Sequence, residues 1–235
     1  MNLSVAILVG GLATRIRPLT DDIPKALVPI NGKPFILHQL DLLQNAGIKK
    51  AVICAWYRGI QIETLINKTE TIGMDIMYSY DGEKPLGTGG AVLKALPFLQ
   101  DHFFVLYGDS YLPINYKKII AKFLRLNQDG LMTVYHNQGL GDTSNVHFNN
   151  GKILSYDKDN RTPKMEYIDY GLGILRKNAF APYSSDQYLD LAKIYQDLLA
   201  DDNLAAYEVQ QKFFEIGSFK GIKELEKYLT DKKGV

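Results

Sequence analysis

Residues 5–34 read VAILVGGLATRIRPLTDDIPKALVPINGKP. Two glycines, Gly10 and Gly11, come directly after an apolar run. Thr14, Arg15 and Arg17 follow, and then Lys25 and Lys33, each beside a proline. Glycine turns let backbone N–H groups approach an oxyanion closely. Arginines offer planar, two-pronged donors to phosphate oxygens. Together these residues could hold a polyphosphate. No Gly-Lys-Ser/Thr closes the turn, which excludes a P-loop, and no Gly-x-Gly-x-x-Gly follows the strand, which excludes the dinucleotide fingerprint. A second chemical group lies at Gly108-Asp109-Ser110, directly after the apolar run Phe103-Phe104-Val105-Leu106-Tyr107. An acid at the carboxyl end of a central parallel strand stands where open α/β sheets bind ligands. Asp109 is therefore a candidate ligand for Mg²⁺, which takes oxygen donors.

The elements needed to position these residues follow from the apolar spacing. Residues 5–9 read as a buried strand. Pro34 stands at the first position of a helix over about 35–43, which Gly47 stops. Residues 51–56 form the second strand, a helix covers about 59–67, and a third strand lies around 74–80. This alternation predicts parallel pairing with right-handed crossovers. Pro85-Leu86-Gly87-Thr88-Gly89-Gly90-Ala91 then opens a helix, leaving an accessible backbone at its positive end. An amphipathic helix spans 115–126. Short strands follow at 131–135, 145–148 and 153–157, with a hairpin signal at Asn149-Asn150-Gly151. Residues 189–199 are helical, and Phe219, Ile222, Leu225 and Leu229 line one face of a final helix.

The long ordered pattern Gly10-Gly11-Leu12-Ala13-Thr14-Arg15-Ile16-Arg17-Pro18-Leu19-Thr20, then Pro24-Lys25-Ala26-Leu27-Val28-Pro29, resembles the signature of the sugar-1-phosphate nucleotidylyltransferases. Ala13 and Ala26 depart from it, standing where that family has Gly and Pro. Ala13 must take φ < 0 or carry strain. The resemblance implies an α/β fold: a Rossmann-like three-layer sandwich with a mostly parallel mixed central sheet. It implies one domain over 1–235, with a nucleotide-binding half at 1–112 and a sugar-phosphate-binding half at 113–235. Catalysis would fall to Arg15, Lys25 and Asp109, and the nucleotide to Leu8, Gly10, Gly11, Thr14, Glu83, Gly87, Thr88 and Gly108. The sugar phosphate would be met by Asn145, Lys158 and Asp169, with Arg161 or Lys164 as substitutes for Lys158. Mg²⁺ would sit between Asp109 and Glu215. Glu215 stands in Phe213-Phe214-Glu215-Ile216-Gly217-Ser218, where the family has Asp.

The activity this implies is attack of a sugar 1-phosphate on the α-phosphorus of a nucleoside triphosphate, GTP favoured, with release of pyrophosphate. The short chain and the second glycine motif look most like bacterial guanylyltransferases for mannose or heptose 1-phosphate. Alternatives are uridylyl or cytidylyl transfer to another sugar 1-phosphate or to phosphocholine, and a nucleotide-binding regulatory subunit without catalysis.

The bulk properties narrow the partners. A net charge of +1 over 235 residues predicts neither nucleic acid nor an anionic membrane as a partner. The N-terminus lacks signal-peptide regions, and no apolar run approaches the roughly 20 residues that cross a bilayer. The one cysteine, Cys54, cannot form an internal disulfide and reads as a small buried hydrophobe, which fits the cytoplasm. His38, His102, His136 and His147 show no metal-ligand spacing. No hexapeptide repeats follow the last helix, so no β-helix acyltransferase domain is expected. Whether the chain forms a homo-oligomer is not legible in the sequence.

Overall fold

A computed structural model describes residues 3–69, 73–137, 143–184 and 187–233. In chain order its elements are β1 (Ser4–Leu8), β2 (Pro29–Ile30), β3 (Lys33–Pro34), α1 (Phe35–Asn45), β4 (Lys50–Ala55), α2 (Gly59–Asn67), β5 (Asp75–Tyr80) and α3 (Gly87–Ala95). They continue with β6 (His102–Tyr107), β7 (Ser110–Tyr111), α4 (Tyr116–Phe123), β8 (Gly130–His136), β9 (Val146–Asn149) and β10 (Lys152–Tyr156). The last are β11 (Tyr167–Arg176), α5 (Leu191–Ala200), β12 (Leu204–Val209), β13 (Phe214–Glu215) and α6 (Phe219–Lys233).

One nine-stranded sheet runs through the molecule, in the order β10-β9-β11-β6-β1-β4-β5, with β8 and β12 joined through β11. Strands β6, β1, β4 and β5 are all parallel. Strand β11 runs antiparallel to both β6 and β8, which makes the sheet mixed. Side chains alternate along each strand, so the sheet has two apolar faces. Val5, Ile7, Ala51 and Ile53 pack under α1, α2 and α4 on one side. Ala6, Val52, Cys54 and Val105 pack under α3 and α5 on the other. The result is the expected three-layer sandwich. A third apolar cluster joins α6, through Ile222, Leu225 and Leu229, to Ile16 and Val28 of the loop after β1 and to Ile30 of β2.

Turn chemistry accounts for the local geometry. Asn150 and Gly151 both take positive φ, at 48° and 81°, as a tight hairpin between twisted strands requires. Asn115 caps α4, its side chain accepting from the Lys118 N–H at 3.2 Å. Several features differ from or go beyond the sequence expectations, among them two strands and a helix start. β11 is ten residues long, because it pairs on both sides. Strand β12 is read from sequence by no alternation, since Leu204, Ala205 and Ala206 are all buried. Helix α5 begins after Asp190, not at 189, because Asp190 is its N-cap. Among the described residues no helix is long and apolar enough to cross a membrane.

Candidate functional site

Two cavities open at the carboxyl ends of the parallel strands and share a wall made by Tyr107 and Asp109. The first has a volume of about 440 Å³ and is bounded by Leu8, Gly10, Gly11, Trp56, Pro85 and Ala91, with Lys25 and Asp109 at one end. The second, about 360 Å³, is lined by Arg15, Asn145, Lys158, Arg161, Asp169 and Glu215. Both lie within the range of small-ligand pockets.

The shared wall is the end of β6 and the strand after it. Asp109 receives a hydrogen bond from Lys25 Nζ at 3.0 Å. β7 and β13 pair antiparallel with Ser110 opposite Glu215, and the Ile216 N–H donates to the Asp109 carbonyl at 3.0 Å. This short ladder brings two acids more than a hundred residues apart to one cavity wall. The Glu215 carboxylate accepts from the Gly217 N–H and from the Ser218 hydroxyl. A Cβ built on Gly217 would lie 2.8 Å from Glu215 Oε2, 3.2 Å from Arg15 Nη2 and 3.4 Å from Lys25 Nζ. Two cations and one carboxylate therefore surround a point that only glycine leaves open. The Tyr107 hydroxyl is buried with no partner among the described residues. Burial, then the charge of Asp169, push its phenol far above the usual tyrosine range, so it stays protonated.

Most of the residues singled out from sequence reach these cavities. Leu8, Gly10, Gly11, Lys25, Gly87, Thr88, Gly108 and Asp109 border the first. Arg15, Asp109, Asn145, Lys158, Arg161, Asp169 and Glu215 border the second. Thr14, Glu83 and Lys164 border neither and are exposed. Where Glu83 was expected, Asp81 stands instead, at the end of β5, taking the Leu86 N–H at 2.9 Å. Burial raises its carboxyl pKa. Arg17 and Lys33 do not reach the cavities either, since they pair with Asp21 and Asp41. Cys54 is among the residues lining the first cavity. Burial raises its thiol pKa, so it is a small hydrophobe there, not a nucleophile.

The second glycine motif is more enclosed than its sequence suggests. Its helix start is only partly open: Gly87 and Thr88 line the first cavity, while the next two N–H groups are taken within the protein. The Leu189 carbonyl accepts from the N–H groups of Gly89 and Gly90 at 2.8 and 3.1 Å, and the Leu189 N–H donates to Leu86 at 2.9 Å. The glycines at 87, 89 and 90 let this segment approach α3 closely. The Thr88 hydroxyl is also used within the protein, accepting from the Leu191 N–H and donating to Asp190. Asn145 and Asp169 are likewise interlocked. Asn145 Oδ1 accepts the Asp169 N–H, while the Asp169 carboxylate accepts from the Gly171 N–H and the Tyr156 hydroxyl. At Ala13 the strained alternative holds, since φ is 51°. The Thr20 hydroxyl bonds the Ala13 carbonyl at 2.8 Å and fixes the turn.

Trp56, Asp81, Tyr107, Tyr188 and Asp190 escaped the sequence reading. Asp81 had a signal, as the first acid after a strand. Tyr188, 70% exposed beside the first cavity, had none.

A family model for nucleotidyl transferases matches residues 4–232. The chain belongs to the nucleotidyl transferase family. Nucleotidyl transfer is its class of reaction, and the sheet of this family is the mixed, mostly parallel one described above. The chain is 29% identical over 212 residues to a D-glycero-alpha-D-manno-heptose 1-phosphate guanylyltransferase of Campylobacter jejuni, covering 90% of this chain and 93% of that protein. It is 46% identical over 107 residues to a mannose-1-phosphate guanyltransferase of Yarrowia lipolytica, covering 44% of this chain and 29% of the relative. The crystal structure of HddC from Yersinia pseudotuberculosis complexed with GMP-PN superimposes with a TM-score of 0.79 at 25% identity, over 97% of this chain and 99% of that one.

Proposed function

We propose that this nucleotidyl transferase moves a guanylyl group from GTP to a sugar 1-phosphate, releasing pyrophosphate. One observation carries the reading: an apolar cavity and a polar, cation-bearing cavity meet at Asp109, beside Arg15, Lys25 and Glu215. The base occupies the apolar cavity, against Leu8, Trp56 and Pro85, and the sugar phosphate the polar one, facing Lys158 and Arg161. The N-terminal half, 1–112, then serves the nucleotide, and 113–235 the sugar phosphate.

Attack forms a bond from the sugar phosphate oxygen to the α-phosphorus and breaks the bond to pyrophosphate. The nucleophile is already an anion, so no side chain need take its proton. The barrier is the repulsion of two anions, which positioning and opposite charge overcome. Arg15 grips the triphosphate and steadies the leaving pyrophosphate. Lys25 holds Asp109 in place and neutralises charge beside it. Asp109 and Glu215 are the carboxylates that would hold a hard divalent cation, which we take to be Mg²⁺. Among the described residues no third carboxylate, histidine or cysteine joins them, so such an ion would be completed by phosphate and water oxygens. Bound there, it would supply charge neutralisation at the phosphates.

The heptose and mannose relatives are guanylyltransferases, and the HddC crystal holds GMP-PN. Asp81 supports the same base: guanine presents two adjacent N–H donors, N1 and N2, that a carboxylate accepts together. A cytoplasmic location fits the single, unpaired Cys54.

The test pairs each common nucleoside triphosphate with mannose, heptose and glucose 1-phosphates and reads pyrophosphate. GTP with mannose or heptose 1-phosphate should turn over fastest. Triphosphate binding without pyrophosphate from any pair would point instead to a regulatory nucleotide-binding protein.

A further inference from the structure

Asp190 stands between the two cavities, and its carboxylate touches a residue of each. Lys158, facing the polar cavity, donates from Nζ to Asp190 Oδ1 at 3.3 Å. Thr88, beside the apolar cavity, donates its hydroxyl to the same oxygen at 3.4 Å and accepts the Leu191 N–H at 2.9 Å. That oxygen also accepts the Ala192 N–H at 2.7 Å, which caps α5. Capping does not need the charge, since Asn or Ser serve equally well at this position. Nor does stability need the ion pair. The side chains of Lys158 and Asp190 are 35% and 42% exposed, and pairs so exposed contribute little. The charge has one further use in view, which is to hold the lysine.

We propose that Asp190 is a positioning residue: it holds the Lys158 ammonium at the seam of the two cavities and, through Thr88, ties it to the nucleotide side. This rests on the reading of the polar cavity as the sugar-phosphate site. A flexible lysine stem is thereby given one location. Small misplacements of groups that hold reactants cost rate steeply.

The test is a double-variant cycle on Asp190→Asn and Lys158→Ala, with kcat and both KM values from pyrophosphate release. Asparagine keeps the helix cap, so the thermal midpoint should stay within a few degrees of wild type. In Asp190→Asn the KM for the sugar 1-phosphate should rise on the order of tenfold, with the triphosphate KM nearly unchanged. In the Lys158→Ala background the same change should add nothing, because its agent is already gone. Additive effects, an unchanged sugar-phosphate KM, or a parallel rise in the triphosphate KM would overturn the proposal. Calorimetric titration with mannose 1-phosphate separates this from the activity itself. Weakened binding in both variants sustains the positioning role even if wild-type protein releases no pyrophosphate. Equal binding by wild type and Asp190→Asn removes the role while leaving the transferase reading standing; if wild type binds no mannose 1-phosphate, the same titration with heptose and glucose 1-phosphates decides, and binding of none removes both the role and the sugar-phosphate reading of the polar cavity.

Discussion

Replacing Gly87 with alanine should destabilise the fold more than it weakens nucleotide binding. Gly87 has φ of +77°, and a Cβ there would lie 2.5 Å from the Leu189 carbonyl oxygen and 3.0 Å from its carbon. Both are backbone atoms, so relief requires residues 187–190 to move. That carbonyl accepts two hydrogen bonds, from Gly89 and Gly90, and both are lost when it shifts. A left-handed alanine costs on the order of 1 kcal/mol, and each backbone hydrogen bond is worth about 1 kcal/mol net, so the variant should lose about 3 kcal/mol. For a chain of this length that is a fall of roughly 6–12 °C in the thermal midpoint. Chemical denaturation followed by circular dichroism, with a parallel thermal scan, measures it. If the glycines instead present N–H groups to phosphate, Gly87→Ala will keep wild-type stability and raise only the triphosphate KM. That result would refute the argument that this motif exists to admit the Leu189 segment.

Asp109→Asn and Arg15→Ala should each lower kcat by about two orders of magnitude or more while the far-ultraviolet spectrum stays native, since each removes a charge acting on the reacting phosphates. Activity should vanish on exhaustive EDTA treatment and return with Mg²⁺; retained pyrophosphate release after chelation would exclude the Asp109–Glu215 cation. Ala13→Gly should raise stability by about 0.5 kcal/mol, because the alanine holds φ of 51°; an unchanged denaturation midpoint would mean the turn is not strained. Asp169 is half-buried in the cavity wall, and desolvation there raises its carboxyl pKa against the pull of the Gly171 N–H and Lys158. An acid whose folded pKa is raised loses stability as pH climbs from its unfolded value through its folded one. Asp169→Asn should therefore match wild type in acid and become the more stable protein at neutral pH, as read by thermal midpoints across that range.

The chain's local chemistry was legible from its residue order. Residues 5–9 were an unmistakable buried strand, and Asn150-Gly151 an unmistakable tight turn, because each depends on conformational preferences confined to a few residues. The ordered run from Gly10 to Pro29 carried the family, and the acid after Tyr107 carried a position at the ligand edge of the sheet. Tertiary contact decided the rest. Nothing in the spacing says that Glu215 lies across a two-stranded ladder from Ser110, because that pairing joins chain segments a hundred residues apart. Nor does anything in Pro-Leu-Gly-Thr-Gly-Gly-Ala distinguish a bare helix start from one already capped by Leu189. Glycine permits both a ligand and another backbone to come close, and only the folded chain shows which of the two has arrived. The same holds for Asp81 against Glu83 and for Asp190: an acid's use depends on what the fold sets against it, and that partner lies far away along the chain.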